Sequence, residues 1–391
     1  MSFHRSTRVA SAAVLGLALL SVPVTAYAAP SVAQQCPPTW LGTTNNVDPQ
    51  ISANGRYVVF TGYGPDGEIG DRTIFLRDRK TGTTTVASDP DQVRNNILPS
   101  ISADGTRISY LSKDTEDFDN EAEIWVYDRT TGERTFEGPS FTQDPAVLDA
   151  DGSTLSFVQL ENGSTNRQLV YARDVDADVD QLVSATADGS AANGTSYGPD
   201  ISADGKHVLF SSTADDLEAE AGGTGFYVRN LETGEVTAVP RRSADSPYQN
   251  RPQFSPDGRF VLYDDPAGAW RYDLRTGRTV SAQKRGPAHT ASDISKAGRQ
   301  VLLRDDAGLL VRTVATGAQH RVDTLPDGSP NPDGGAFNGA ITPNGRYVTF
   351  MSGATGLDAG ETAESNLNIY VRDTLTGRTD LVSTTDAGGT C

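Results

Sequence analysis

One pentapeptide in the chain has the spacing of an activated serine: Gly194-Thr195-Ser196-Tyr197-Gly198. A nucleophile elbow needs a sharp strand-to-helix turn, with an acid and a histidine further along the same sheet. Here the pentapeptide runs directly into Pro199-Asp200-Ile201-Ser202, which reads as a strand, so Ser196 is not expected to be catalytic. Beyond the first residues the only histidines are His207, His289 and His320, and none lies at ligand spacing from another. Histidine-based acid–base chemistry and histidine metal centres therefore lack their groups. Asp174, Asp176, Asp178 and Asp180 alternate along one stretch, but a twelve-residue calcium loop needs glycine sixth and glutamate twelfth, where Val179 and Ala185 stand. That stretch is expected to be an acidic hairpin turn. The chemistry left to the chain is that of carboxylates.

Carboxylates are in excess throughout. The 391 residues hold 51 Asp+Glu against 33 Lys+Arg, a formal net charge of −18. Such a surface repels phosphate backbones and anionic headgroups, so neither nucleic acid nor a membrane surface is an expected partner. Hydrophobic content of 36% is enough for a packed core, while 39 Gly and 21 Pro point to many turns. Residues 1–28 read as a secretory signal: Arg5 and Arg8, then the apolar run Val14–Leu20, then Ala26-Tyr27-Ala28 as a small-x-small cleavage pattern. The run is too short to span a bilayer, and a freely secreted, extracellular, monomeric protein is expected. The two cysteines, Cys36 and Cys391, stand near the two ends of the remaining chain, where an oxidising compartment permits a disulfide between them; two unrelated thiols are the alternative.

The elements that must carry these groups repeat seven times. Ile51-Ser52-Ala53-Asn54-Gly55 returns with Gly105, Gly152, Gly205, Gly258, Gly298 and Gly345 as its closing glycine. Five residues after each comes a large apolar side chain: Phe60, Tyr110, Phe157, Phe210, Tyr263, Leu303 and Phe350. A second half-unit, Ile74-Phe75-Leu76-Arg77-Asp78 followed by Thr81-Gly82, recurs with Thr-Gly pairs ending at Gly132, Gly234, Gly277, Gly317 and Gly377; only the third copy replaces the pair, with the acidic stretch. Period-two alternation and Asn-Gly or Asp-Gly turns make each unit four short strands, of the types Pro49–Ser52, Tyr57–Phe60, Ile74–Arg77 and Thr84–Ala87, with no capped amphipathic helix. Seven four-stranded antiparallel units bury their faces by stacking about an axis, which predicts an all-β, seven-bladed β-propeller over residues 45–391, preceded by a tail (29–44) that holds Cys36. Closure would bring the chain ends together, and so Cys36 to Cys391.

The repeat Ser-x-Asp-Gly-(Arg/Lys)-x-Val-x-Phe followed by Ile-Tyr-Val-Arg-Asp-x-x-Thr-Gly resembles the TolB-type, WD-like propeller repeat. The seventh copy, Ile341 to Phe350 and then Ile369 to Asp373 with Thr376-Gly377, matches it best. The resemblance implies the propeller fold. It implies no particular activity, because propellers host binding, scaffolding and several chemistries.

The connections between second and third strands are short in the fifth and sixth units and long and acidic elsewhere. Their charges, with Asp114, Glu116, Asp117 and Asp119 in the second unit, Asp215 and Asp216 in the fourth, and Asp358 and Glu361 in the seventh, mark the expected binding face. Asp114, Asp117 and Asp119 are also the expected residues if Ca²⁺ is bound; no other cofactor is expected. The functional expectation is a secreted, non-catalytic binding protein. Its ligand, a protein or a carbohydrate, would sit on the long-loop face or at the channel mouth. The alternative is an extracellular hydrolase or lyase working through carboxylates at that mouth.

Overall fold

The computed structural model describes residues 46–63, 72–90, 92, 94–114, 122–140, 144–161, 167–217, 225–240, 251–284, 289–332, 335–358 and 367–383. All belong to one compact unit, 32–391. Almost every element in it is a strand, and the only helix among the described residues is a 3-10 turn at Lys296–Gly298. The first sheet is built from β1 (Val47–Ile51), β2 (Tyr57–Tyr63), β3 (Arg72–Asp78) and β4 (Thr83–Val86), paired antiparallel in chain order. A single parallel pairing, Arg72 with Asn95, joins it to the next antiparallel set of four, and five further four-stranded sheets follow.

The turn chemistry read from the sequence accounts for this order. Gly55, Gly105, Gly152, Gly205, Gly258, Gly298 and Gly345 all have φ between 59° and 77°, the left-handed region that lets the chain reverse between first and second strands. In the third unit, where no Thr-Gly pair exists, Asp178 takes the left-handed position itself, at φ 53°. That hairpin is held by arginines: Arg173 pairs with Asp180 at 2.6 Å and Asp178 at 3.2 Å, and Arg107 with Asp176 at 2.6 Å. The expected acidic hairpin is therefore what forms.

Packing is sheet on sheet. The large apolar residues after the turn glycines, Phe60 to Phe350, are each at most 1% exposed. Phe60, Phe210 and Phe350 stack on Phe75, Tyr227 and Tyr370 of the adjacent strand with centroids 5.6–5.8 Å apart. Each sheet shares an apolar cluster with the next: Val59 and Ile74 with Tyr110, Leu111 with Phe157, Val158 with Phe210, Leu209 with Val261, Leu262 with Leu303, and Leu302 with Phe350. A seventh cluster joins Met351, Ile369 and Val371 of the last sheet to Val58, Phe60 and Phe75 of the first. Asn46 N–H donating to the Leu367 carbonyl at 3.0 Å and Arg79 on Asp380 at 2.9 Å tie the same two sheets.

The innermost strands are linked at their ends by main-chain hydrogen bonds from sheet to sheet. Ala53 N–H donates to Ala103, Ala103 to Ala150, Ala150 to Ala203, Ala203 to Pro256 and Lys296 to Pro343, at 2.8–3.2 Å. Pro256 and Pro343 have no N–H to continue the belt. Ala103→Pro is accommodated at an equivalent position but deletes one link, and should lower stability by about 1 kcal/mol; a denaturant midpoint unchanged from wild type would mean the belt contributes nothing.

Candidate binding site

The first strand of every sheet lines a common cavity of about 220 Å³. Four of these strands bulge just before the residue that faces it, with shifts in pairing at Val47/Gln50, Ile97/Ser100, Tyr197/Asp200 and Phe337/Ala340. Asp48, Leu98, Gly198 and Asn338 take φ of 48–59° there. Pro49, Pro99 and Pro199 follow three of them; a proline gives the neighbouring strand no N–H, and a bulge is where a ladder tolerates that. The sixth sheet shifts similarly at Ala291/Asp293. The consequence is a ring of side chains: Gln50, Ser100, Val147, Asp200, Gln253, Asp293 and Ala340.

Two members of the ring are carboxylates, and among the described residues neither is paired with a cationic side chain. Asp200 accepts N–H bonds from Ile201 (2.9 Å) and, across to the next sheet, from Phe254 (2.6 Å). Asp293 repeats the arrangement with Ile294 (2.7 Å) and Ile341 (2.6 Å). Ser100 plays the same part with its hydroxyl, accepting Leu148 N–H at 3.2 Å. Burial raises the Asp200 carboxyl to about 6 in spite of its two N–H bonds. Burial also raises Asp293, to about 7, again against its N–H bonds, with the charge of Asp200 pushing the same way. Both side chains are half-buried by exposed area, because the cavity reaches them, while its walls displace most of their hydration. Asp48, two residues before Gln50, is itself raised mainly by burial, against the charges of Arg72 and Arg251 and a hydrogen bond with Asn338, and Arg251 pairs with Asp144 at 2.9 Å.

The loop carboxylates expected to bind a ligand are placed differently. Asp215 and Asp216 are exposed but staple their loop to Asn193: Asn193 Nδ2 donates to Asp215 at 2.6 Å, and Asn193 N–H donates to Asp216 at 3.0 Å. Half-buried Asp358 accepts Leu381 N–H at 2.9 Å. Asp114 is exposed. Glu116, Asp117, Asp119 and Glu361 lie outside the described residues, as do Cys36 and Cys391, and with them the expected calcium site and disulfide. Among the described residues no three His, Cys, Asp or Glu side chains come together as a metal site. Ser196 is fully buried, and its hydroxyl donates to Ser212 at 2.9 Å, so it is no exposed nucleophile.

Asp200 and Asp293 are the site residues that reading the loops missed. The signal was present: both stand immediately before the Ile-Ser that opens a repeat, where the other copies have Gln50, Ser100, Val147, Gln253 and Ala340.

No protein-family model matches the sequence, and no curated protein does. Solved structures do. The β-propeller domain of the Trilobed protease from Pyrococcus furiosus superposes with a TM-score of 0.59 at 12% identity, over 88% of this chain and 96% of that one. A prolyl endopeptidase superposes at 0.58 and 15% identity over 88% of this chain, which spans only 50% of the length of that enzyme. An oligogalacturonate lyase, determined in complex with manganese, superposes at 0.55 and 15% identity over 86% of this chain and 90% of that one. At such identities the likeness is one of architecture, and with the four-stranded antiparallel sheets it establishes that the chain has a β-propeller fold.

Proposed function

We propose that the protein is a secreted, non-catalytic binding protein: a closed seven-bladed propeller of TolB-like repeats, exported by the signal at 1–28 and clasped by a Cys36–Cys391 disulfide. Its ligand is a carbohydrate that inserts one unit into the central cavity. The observation that carries this reading is the ring itself, in which carboxyl, amide and hydroxyl groups (Asp200, Asp293, Gln50, Gln253, Ser100) converge on one space from separate sheets. Those are the donors and acceptors that sugar hydroxyls require. At about 220 Å³ the cavity is smaller than the ~300 Å³ at which pockets for whole drug-sized ligands begin, so it suits a single sugar unit at a chain end.

The raised carboxyls favour a second reading, a carboxylate-dependent hydrolase or lyase. Against it, both oxygens of each carboxyl already accept a main-chain N–H, and Ser100 performs the same inter-sheet task without being ionisable. A glycan array followed by calorimetry tests the choice. Binding that Gln253→Leu weakens at least tenfold, with the glycan recovered intact, supports the binding protein. Cleavage of the bound glycan that Asp200→Asn abolishes would establish the second reading, and an array with no specific signal would remove both.

A further inference from the structure

The lining of the central cavity carries charge of one sign. Asp149, Asp200 and Asp293 line it from the third, fourth and sixth sheets, and no lysine, arginine or histidine is among the described residues around it. The groups acting on Asp200 are two main-chain N–H groups, and Asp293 adds to its own two only the negative charge of Asp200. Asp149 is 4% exposed; it accepts Thr154 N–H at 3.2 Å and the Ser153 hydroxyl at 3.3 Å, with Asp151, another acid, acting on it. Burial is the largest influence on all three, raises all three, and meets no cation in return. Elsewhere the molecule meets buried carboxylates with arginines: Asp273 with Arg259 at 2.6 Å and Glu137 with Arg173 at 3.6 Å. Nor does the link between sheets need a charge, since the Ser100 hydroxyl makes the same link.

The charge is also gathered on one side of the ring. Asp200 and Asp293 flank Gln253 of the fifth sheet, whereas the third and seventh sheets contribute Val147 and Ala340. Each carboxyl is pinned by two N–H groups, one on each oxygen. A carboxylate has about four acceptor sites, so about two remain on each. Gln253 Nε2 is turned to the Arg251 carbonyl at 3.5 Å, which leaves the amide oxygen to accept. This side therefore offers fixed acceptors and negative charge, and its complement is a cation with several donors. A bare metal ion does not fit, because among the described residues no three acidic, His or Cys side chains come together as a metal site. A methylated ammonium does not fit either, because it needs a cage of aromatic faces and Phe254, 5% exposed, is the only aromatic residue of the lining among the described residues. An unsubstituted ammonium, with three N–H donors, does.

We infer that the unit taken into the central cavity is an amino sugar with an unsubstituted amine, its ammonium held on the side of Asp200, Gln253 and Asp293. The inference rests on the carbohydrate reading above and names the class of carbohydrate. The ligand brings the counter-charge that the lining lacks, and its hydroxyls are left to Gln50 and Ser100. An N-acetylated unit has lost the charge and two of the three donors, and a uronate would bring a fourth carboxylate to a lining with nothing to neutralise it.

The test is calorimetry on the full chain with β-1,4-linked trimers of glucosamine, N-acetylglucosamine and glucose, and with lysinamide and calcium chloride in parallel. The glucosamine trimer is expected to bind about thirtyfold more tightly than either neutral trimer, the scale of a lost charge-assisted hydrogen bond or two. Asp293→Asn should bring that preference below about threefold. Asp200→Ser, which keeps an acceptor for the next sheet as Ser100 does, should do the same, so that one variant serves if the other fails to fold. A glucose trimer bound as tightly as the glucosamine trimer would overturn the amine and leave the carbohydrate reading standing. Lysinamide bound as tightly as the glucosamine trimer, or displacement of that trimer by calcium at equal concentration, would overturn the amino sugar in favour of another cation. An undiminished preference in the folded variants would place the amine elsewhere and overturn the inference. Binding of no trimer would remove the carbohydrate reading, and the inference with it.

Discussion

Between about pH 4 and pH 7 the wild-type protein should lose stability that an Asp200→Asn/Asp293→Asn variant does not lose. A carboxyl whose folded value lies above its unfolded value near 3.8 keeps its proton longer in the folded state. Unfolding then releases protons through the window from about 4 to about 7, so stability is greatest on the acid side and falls as pH rises. At about 1.4 kcal/mol per pH unit, values of about 6 and about 7 correspond to roughly 3 and 4 kcal/mol if each acted alone. The two influence each other and partly face water, so a joint loss of a few kcal/mol is the expected scale. His320 works in the opposite sense, because burial, helped by Arg372, lowers its value and favours the neutral folded form at higher pH. Asp48, Asp149 and Asp323 are raised like the ring carboxyls, and subtracting the variant's profile from the wild type's cancels all four. Each asparagine keeps one acceptor oxygen and gives up the other, so below about pH 4 the variant should be less stable, by about 1 kcal/mol per lost hydrogen bond. Above pH 8 it should be the more stable protein. Urea unfolding at five pH values tests this through the crossing of the two curves; parallel profiles would mean that the ring carboxyls ionise normally.

The architecture was legible because the repeat writes its own turns. Asn54-Gly55 and its six counterparts, each with a large apolar residue five positions on, state the strand register, and the structure buries every one of those seven residues. The site was less legible for a physical reason. Loop carboxylates are conspicuous in a sequence because they cluster, yet Asp215, Asp216 and Asp358 spend their oxygens on the main chain and side chain of their own molecule. Asp200 and Asp293 are inconspicuous because they are far apart in the chain, and only the ring arrangement of the innermost strands turns one residue per repeat into a set. Aligned register by register, the seven copies display that set.

Two roles of glycine that look alike in the sequence separate in the same alignment. Gly105→Ala should destabilise by about 2–4 kcal/mol, from left-handed backbone strain and overpacking together, whereas Gly277→Ala should cost only about 1–2 kcal/mol. Both glycines have positive φ, 77° and 65°. A Cβ at Gly277 meets nothing within 4 Å, while one at Gly105 would stand 2.4 Å from Tyr57 Cδ2 and 2.9 Å from Cγ. Those atoms are near the root of the side chain and cannot swing clear, and the ring is 6% exposed with arginines over it. Relief must therefore come from separating the first sheet from the second. Removing the ring should restore the ground lost: in a double-mutant cycle, Gly105→Ala in a Tyr57→Ser background is expected to cost no more than Gly277→Ala does in the wild type. Equal costs for the two alanines in the wild-type protein would show that backbone conformation alone decides, and that the ring-under-glycine contact adds nothing to holding the sheets together.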